Sequence, residues 1–205
     1  RQVRYSLTNP REEIDMVLFI NGLPIATMEL KNHWTGQNAK VHGQNQYKTK
    51  RDITQPLLNF GRCVVHFAVD TDEVYMTTKL DGTNTFFLPF NLGHNYGKGN
   101  PPNPFGHKTA YLWDEVLTRE SVANIIQHFV RFDGKETDAL SKKNLFFPRY
   151  HQMNVVRKLI ADASKNGVGQ TYLIQHSAGS GKSNSITWAA YQLIETYPEN
   201  ENTPG

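Results

Sequence analysis

Asp15, Glu29 and Lys31 are the residues of this chain whose types and spacing could work on a phosphate. Side chains alternate faces along a strand, so Glu29 and Lys31, two apart in the strand-like run IATMELK, project on one side. Paired carboxylates suit Mg²⁺, which takes one or two of them and leaves its other positions to water and substrate phosphate. A metal so held lowers the pKa of a bound water, and a lysine on the same face could position that water and neutralise charge building on phosphorus. An exposed charge pair on a hairpin edge is the alternative. The two acids lie, however, in otherwise apolar strands, where an unpaired charge is costly.

Whether Asp15 meets Glu29 depends on the turn between them. The runs IDMVLFI (14–20) and IATMELK (25–31) flank Asn21-Gly22, a dipeptide that favours the positive φ angles of hairpin turns. A two-residue loop pairs Asp15 with Met28 and sends Glu29 to the other face. A three-residue loop, or a bulge that restores the parity, sets Asp15 opposite Glu29. The metal site requires one of the latter two.

A second chemistry-bearing stretch is His176-Ser177-Ala178-Gly179-Ser180-Gly181-Lys182-Ser183, placed between a predicted strand (TYLIQ, 171–175) and a predicted helix running to about Tyr197. This is the context of a phosphate-binding loop. Glycines at 179 and 181 let the backbone approach phosphates, and the N–H groups of Ser180 and its neighbours point positive charge at them. Lys182 would reach the β and γ phosphates of ATP, and Ser183 would hold its Mg²⁺. A Gly/Ser turn that merely caps a helix is the plainer reading.

The elements that must carry these residues alternate between strands and helices. A second strand pair, 63–69 and 73–79, is separated by Asp70-Thr71-Asp72, and residues 38–52 between the two pairs have a helical pattern. Gly, Asn and Pro dominate 91–107, which predicts a long surface loop. Val122, Ile125, Ile126, Phe129 and Val130 fall three and four apart, so a helix over 119–132 buries one face. The polar stretch 133–144 reads as a linker, a helix follows over 149–164, and the tail from 198 to 205 is polar. Composition sets the outer bounds. With 38% apolar residues and a formal charge of +3, the chain is neither disordered nor strongly basic, and the charge alone does not decide whether DNA is a partner. No run is long and apolar enough for a membrane span or a secretory signal, and a lone Cys63 excludes an internal disulfide and a multi-cysteine zinc site. The cytoplasm is the expected compartment. Eight scattered histidines show no metal-ligand pair on a helix and read as ordinary surface or core residues, while Lys48, Lys50 and Arg51 form a basic helix end that could contact a DNA backbone.

The wider string IDMVLFINGLPIATMELKN resembles the nuclease core of the R (HsdR) subunit of type I restriction-modification enzymes, within the PD-(D/E)xK nuclease superfamily. The stretches VHFAVDTDEVYMTT, FFLPFN, GNPPNPFG and TAYLWDEVL extend the likeness. The resemblance implies an α/β fold, a mixed central sheet flanked by helices (restriction-endonuclease-like), followed by the opening of a RecA-like P-loop domain. It implies an endonuclease domain over 1–135, a linker over 136–144 and the start of an ATPase/translocase domain over 145–205. On it Asp15 and Glu29 would be the metal-binding acids, with Lys31 the lysine of the site. Relatives carry a Gln four residues before a Tyr on the next helix. Here Gly43 stands four before Tyr47, and of Gln44 and Gln46 the second is taken for the role. A further acidic residue supplied by an earlier helix in the family is not visible.

HSAGSGKS similarly resembles motif I of superfamily-two helicases, and Phe147-Pro148-Arg149-Tyr150-His151-Gln152 resembles their Q motif, in which Gln152 would read adenine. No strand after Lys182 carries an Asp-Glu pair, so the chain alone is expected not to hydrolyse ATP. The function implied is Mg²⁺-dependent cleavage of double-stranded DNA by an ATP-driven enzyme. Its partners would be double-stranded DNA and the methyltransferase (M) and specificity (S) subunits, with no membrane involved. A motor or regulatory module whose nuclease-like part only binds DNA or a partner is the alternative.

Overall fold

The structure is a computed structural model that describes residues 1–167, 169–177 and 179–196. Ala178, Tyr197 and the polar tail over 198–205 lie outside the described residues. Five strands form one mixed sheet in sequential order: β3 (Met16–Ile20), β4 (Leu23–Leu30), β5 (Val65–Val69), β6 (Val74–Thr77) and β7 (Leu88–Pro89). The β4–β5 pair is parallel, and the other three pairs are antiparallel. Before them, β1 (Val3–Arg4) and β2 (Glu13–Ile14) make a short separate hairpin.

The β3–β4 turn has two residues, with Asn21 at φ +48 and Gly22 at φ +81, as its sequence requires. Near the turn Ile20 pairs with Leu23 and Phe19 with Pro24. One step on, the register shifts, so that Leu18 faces Ala26 and Met16 faces Met28. Ile25 is therefore a bulge residue, and the same register continued one step sets Asp15 opposite Glu29. The bulge restores the parity that the tight turn alone would have broken.

A parallel pair needs a crossover. The β4–β5 connection supplies one, with two wide helical turns, Ala39–Gly43 and Gln46–Lys50, joined through the helical Gln44 and Asn45. Their width shows in the Gly43 N–H, which reaches five residues back to the Asn38 carbonyl at 3.1 Å. The β5–β6 turn is held by Asp70, whose Oδ1 accepts from the backbone N–H groups of Asp72 at 2.7 Å and Glu73 at 2.8 Å. Its Oδ2 accepts from the Ala39 N–H at 2.6 Å, so the same carboxylate fixes the start of the crossover helix.

Each sheet face has its own core. Ala39, Tyr47, Leu58, Ala68, Tyr5 and Ile14 cover one face. On the other, Ala26, Met28, Phe67, Val74 and Phe90 pack against α1 (Arg119–His128), α2 (Tyr150–Asn166) and α3 (Lys182–Ile194) through Ile125, Phe129, Phe147, Met153, Val156 and Trp188. This is an α/β architecture with helices on both faces. Among the described residues no helix is long and apolar enough to cross a membrane.

Three segments differ from the expectation. The helix expected to reach residue 132 ends at His128, because Arg131–Asp133 (β8) pairs antiparallel with Asn144–Phe146 (β9). The polar stretch between them, read as a linker, is the connection of this hairpin. TYLIQ (171–175) forms no strand: among the described residues nothing pairs with it, and an extended segment without a ladder neighbour leaves its backbone groups to solvent. The loop over 91–107 has no regular structure, as expected, but it is pinned. Buried Asn100 donates from Nδ2 to the Asp72 carbonyl at 2.8 Å and to Asn91 Oδ1 at 2.9 Å, while its Oδ1 accepts the Leu92 N–H.

Candidate active site

Glu29 sits in the middle of the sheet with none of its surface exposed. Thr27, Glu29 and Lys31 share one face of β4, the face covered by the crossover helix. Asp15 reaches them from the end of β3, where its Oδ2 accepts the Leu30 N–H at 2.8 Å. Lys31 Nζ then lies 3.7 Å from Asp15 Oδ2 and 3.7 Å from Glu29 Oε2. The three residues picked out by spacing are thus one cluster, with Asp15 the more open of the two acids.

Arg51 completes the cluster and was placed elsewhere by sequence reasoning. Its Nε donates to Glu29 Oε1 at 2.7 Å, and its side chain is largely buried. It does not join Lys48 and Lys50 on the solvent side, and no spacing in the sequence signals a partner 22 residues away in the chain. Glu29 Oε2, by contrast, is buried with no hydrogen-bond partner among the described residues. Burial pushes the Glu29 carboxyl up to about 7, against the downward pull of Arg51. A buried, unpartnered carboxylate oxygen next to a half-exposed second carboxylate is a donor set that fits a hard divalent cation.

Beneath Glu29 lies a buried polar chain. Thr27 Oγ1 is 2.8 Å from the Tyr47 hydroxyl and 2.7 Å from His66 Nδ1. Burial pushes His66 down to about 3, so the ring is neutral and can accept from Thr27 while Thr27 accepts from Tyr47. Gly43, four residues before Tyr47, lies flat on the strand: a Cβ there would stand 3.0 Å from Ala68 Cβ and 3.5 Å from Lys31 Cγ. A side chain at that position would crowd the strand, and Gly43 stands where the Gln-to-Tyr spacing would place the glutamine. Gln46 is half-buried, and among the described residues its amide has no hydrogen-bond partner.

The histidines also need revision. His33 Nε2 lies 3.3 Å from both Asp70 Oδ1 and Asp72 Oδ2, so these three groups from two loops could hold a metal ion. As built, the cluster is satisfied without one: Asp70 accepts three backbone N–H groups, and Lys108 Nζ pairs with Asp72 Oδ1 at 2.8 Å. Lys108 therefore ties the long loop to the β5–β6 turn.

At the Gly-rich loop, Gly179 and Gly181 both have positive φ, +69 and +80, and α3 begins at Lys182. Lys182 Nζ donates to the carbonyls of His176 at 3.1 Å and Ser177 at 3.0 Å, and Ser183 is exposed on the first turn. Ser180 is buried, and among the described residues its Oγ has no hydrogen-bond partner. Gln152 faces this loop from α2: its Nε2 donates to the Gly181 carbonyl at 3.0 Å, its Oε1 accepts the Arg149 N–H at 2.9 Å, and a Cβ on Gly181 would overlap it. Gln152, Gly179, Ser180, Gly181, Lys182 and Ser183 are therefore together in space.

A mixed five-stranded sheet flanked by helices, with an Asp, Glu and Lys gathered on one face of its second strand, is consistent with a restriction-endonuclease-like fold. Residues 1–85 match the family described as type I restriction enzyme R protein N terminus. The chain is 25% identical over 189 residues to the type I restriction enzyme HindI endonuclease subunit of Haemophilus influenzae, covering 92% of this chain and 17% of that protein. It is 26% identical over 184 residues to the putative type I restriction enzyme MjaVIIIP endonuclease subunit of Methanocaldococcus jannaschii, covering 86% of this chain and 16% of that one. The chain thus spans less than a fifth of the length of these homologues. No solved structure matches it significantly.

Proposed function

We propose that this chain is part of the DNA-cleaving R subunit of a type I restriction enzyme, and that Asp15, Glu29 and Lys31 form its phosphodiester-hydrolysing centre. The observation that carries the reading is the convergence of Lys31 on both acids, 3.7 Å from each, around a buried carboxylate oxygen with no hydrogen-bond partner among the described residues. Asp15 and Glu29 would hold Mg²⁺, which when bound supplies an acidified water and a counter-charge for the phosphate. Lys31 presents its ammonium between the two acids, where it neutralises charge on a phosphate oxygen and orients the attacking water by hydrogen bonding. Double-stranded DNA is the substrate in this reading, and the M and S subunits are the partners that bring the chain to it. Gln46, next to Tyr47 on the crossover helix, is the remaining candidate for the site.

The Gly179–Ser183 loop is the proposed ATP phosphate site. It is supported by two left-handed glycines before a helix N-terminus and by Gln152 gripping the loop from α2. Lys182 would exchange its two loop carbonyls for phosphate oxygens, and Ser183 would meet Mg²⁺.

The test is made in the full-length subunit assembled with its partners. Asp15→Asn and Lys31→Ala are each expected to lower DNA cleavage by at least about a hundredfold. Undiminished cutting by either would overturn the reading. One observation favours the alternative of a nuclease-like part that only binds DNA or a partner: Lys31 and Arg51 already balance the two acids. Calorimetry with Mg²⁺ or Mn²⁺ separates the two, since only the nuclease requires binding that disappears in Glu29→Gln.

A further inference from the structure

Glu29 could turn either oxygen toward Asp15, and the protein has to select one. Lys31 cannot make the selection, because 3.7 Å is too long for a charge-assisted hydrogen bond. Arg51 can: its Nε meets Oε1 at 2.7 Å, the length of a strong ionic hydrogen bond, and that contact leaves only Oε2 facing the ammonium of Lys31.

Arg51 is itself held. It is the first extended residue after the crossover helix, at φ −102 and ψ 129. Its guanidinium lies 6.0 Å from the centre of the Tyr5 ring. The Tyr5 hydroxyl accepts the N–H of Asp52, and the Asp52 carboxylate accepts from the Thr54 N–H and hydroxyl and from the Gln55 side-chain amide. Gln55 in turn accepts the Leu7 N–H at 2.8 Å. The connection of the β1–β2 hairpin, through Tyr5 and Leu7, thus braces the side chain that touches Glu29.

We propose that Arg51 is a positioning residue of the nuclease centre: by holding Glu29 at Oε1 it keeps Oε2 turned toward Asp15 and Lys31. The inference rests on the nuclease reading above. It also reassigns Arg51 from a DNA-backbone contact to a support of the metal-binding acid, which separates it from its exposed neighbour Lys50.

The experiment uses the full-length subunit in its assembled complex. Arg51→Met is expected to lower the cleavage rate at saturating DNA by about ten- to a hundredfold, with half-saturating DNA concentration unchanged. Lys40→Met, at an exposed position earlier on the crossover helix, should leave the rate as it is. In the same proteins, Arg51→Met should lower the melting temperature when Glu29 is present and much less in a Glu29→Gln background, where no buried charge is orphaned. A wild-type rate in Arg51→Met, a loss that falls on half-saturation instead, or an equal melting shift in both backgrounds would each overturn the proposal. Should Arg51→Met not fold, Arg51→Lys keeps the charge but not the Nε geometry. A several-fold lower rate at unchanged half-saturation then supports the role, and a wild-type rate overturns it. Glu29→Gln separates the two readings: if it cuts normally the nuclease centre is wrong, whereas if it is inactive while Arg51→Met is normal, only the role of Arg51 fails.

Discussion

Burial drives the Glu29 carboxyl from its usual 4.5 up to about 7, and Arg51 only partly opposes the shift. An acid whose pKa is higher folded than unfolded binds more protons in the folded state between the two values. Folding stability therefore falls as pH rises from about 4.5 to about 7. At ~1.4 kcal/mol per unit, the full swing is about 3 kcal/mol, a large share of a domain's net stability. In the metal-free protein, wild type is expected to lose about that much relative to Glu29→Gln between pH 4.5 and 8, as read by denaturant unfolding in chelator. A constant gap between the two proteins would mean that Glu29 is not desolvated. Mg²⁺, if held by Asp15 and Glu29 as proposed, would be expected to abolish the effect, because it would favour the ionised carboxylate.

At the scale of elements, the site depends on how closely the crossover helix lies on β4 and β5. Gly43 makes that approach possible, since a methyl there would stand 3.0 Å from Ala68 Cβ. Two effects compete in Gly43→Ala. Helix propensity favours alanine by about 1 kcal/mol. Overpacking costs about 1–3 kcal/mol, and the neighbour here is a Cβ fixed to a central strand that cannot rotate away. Overpacking should win, giving a variant about 1 kcal/mol less stable by denaturant midpoint, with lowered cleavage because Lys31 Cγ lies 3.5 Å from the added methyl. A more stable, fully active Gly43→Ala would show that the helix can lift without disturbing the site. The bulge at Ile25 belongs to the same scale. It lets a tight Asn-Gly turn coexist with carboxylates on facing strands, which either feature alone would forbid.

Across the whole molecule, one apolar core joins the sheet to α2 and α3. Phe147 packs edge-on against Phe67 of β5, with ring centres 6.0 Å apart, and lies 6.2 Å from Phe90. Trp188 of α3 donates from its indole N–H to the Phe129 carbonyl at 2.9 Å, and its ring lies 5.5 Å from the Phe129 ring, tilted at 54°. The proposed division into a nuclease part over 1–135 and a second part from 145 can be tested through this contact. Phe147→Ala is expected to cost about 3–5 kcal/mol and to lower the melting point of the sheet itself, followed by hydrogen exchange of β4 and β5. Exchange in those strands that stays at the wild-type rate would mean the two parts unfold independently.

The sequence by itself determined the β3–β4 and β5–β6 hairpins and their turns. Runs of strand-forming residues, an Asn-Gly dipeptide and an Asp-led turn act between residues a few positions apart, and those forces are the same in any context. It also determined that Glu29 and Lys31 share a face, because that follows from the pleat alone. The meeting of Asp15 with them stayed undecided between registers until the bulge was seen. The failed strand at TYLIQ and the β8–β9 hairpin were beyond it as well, since a ladder exists only where a partner is present. Arg51 on Glu29, and His33 between Asp70 and Asp72, were decided by tertiary structure. A buried charge takes whichever counter-ion the fold brings within reach, and sequence distance carries no information about that reach.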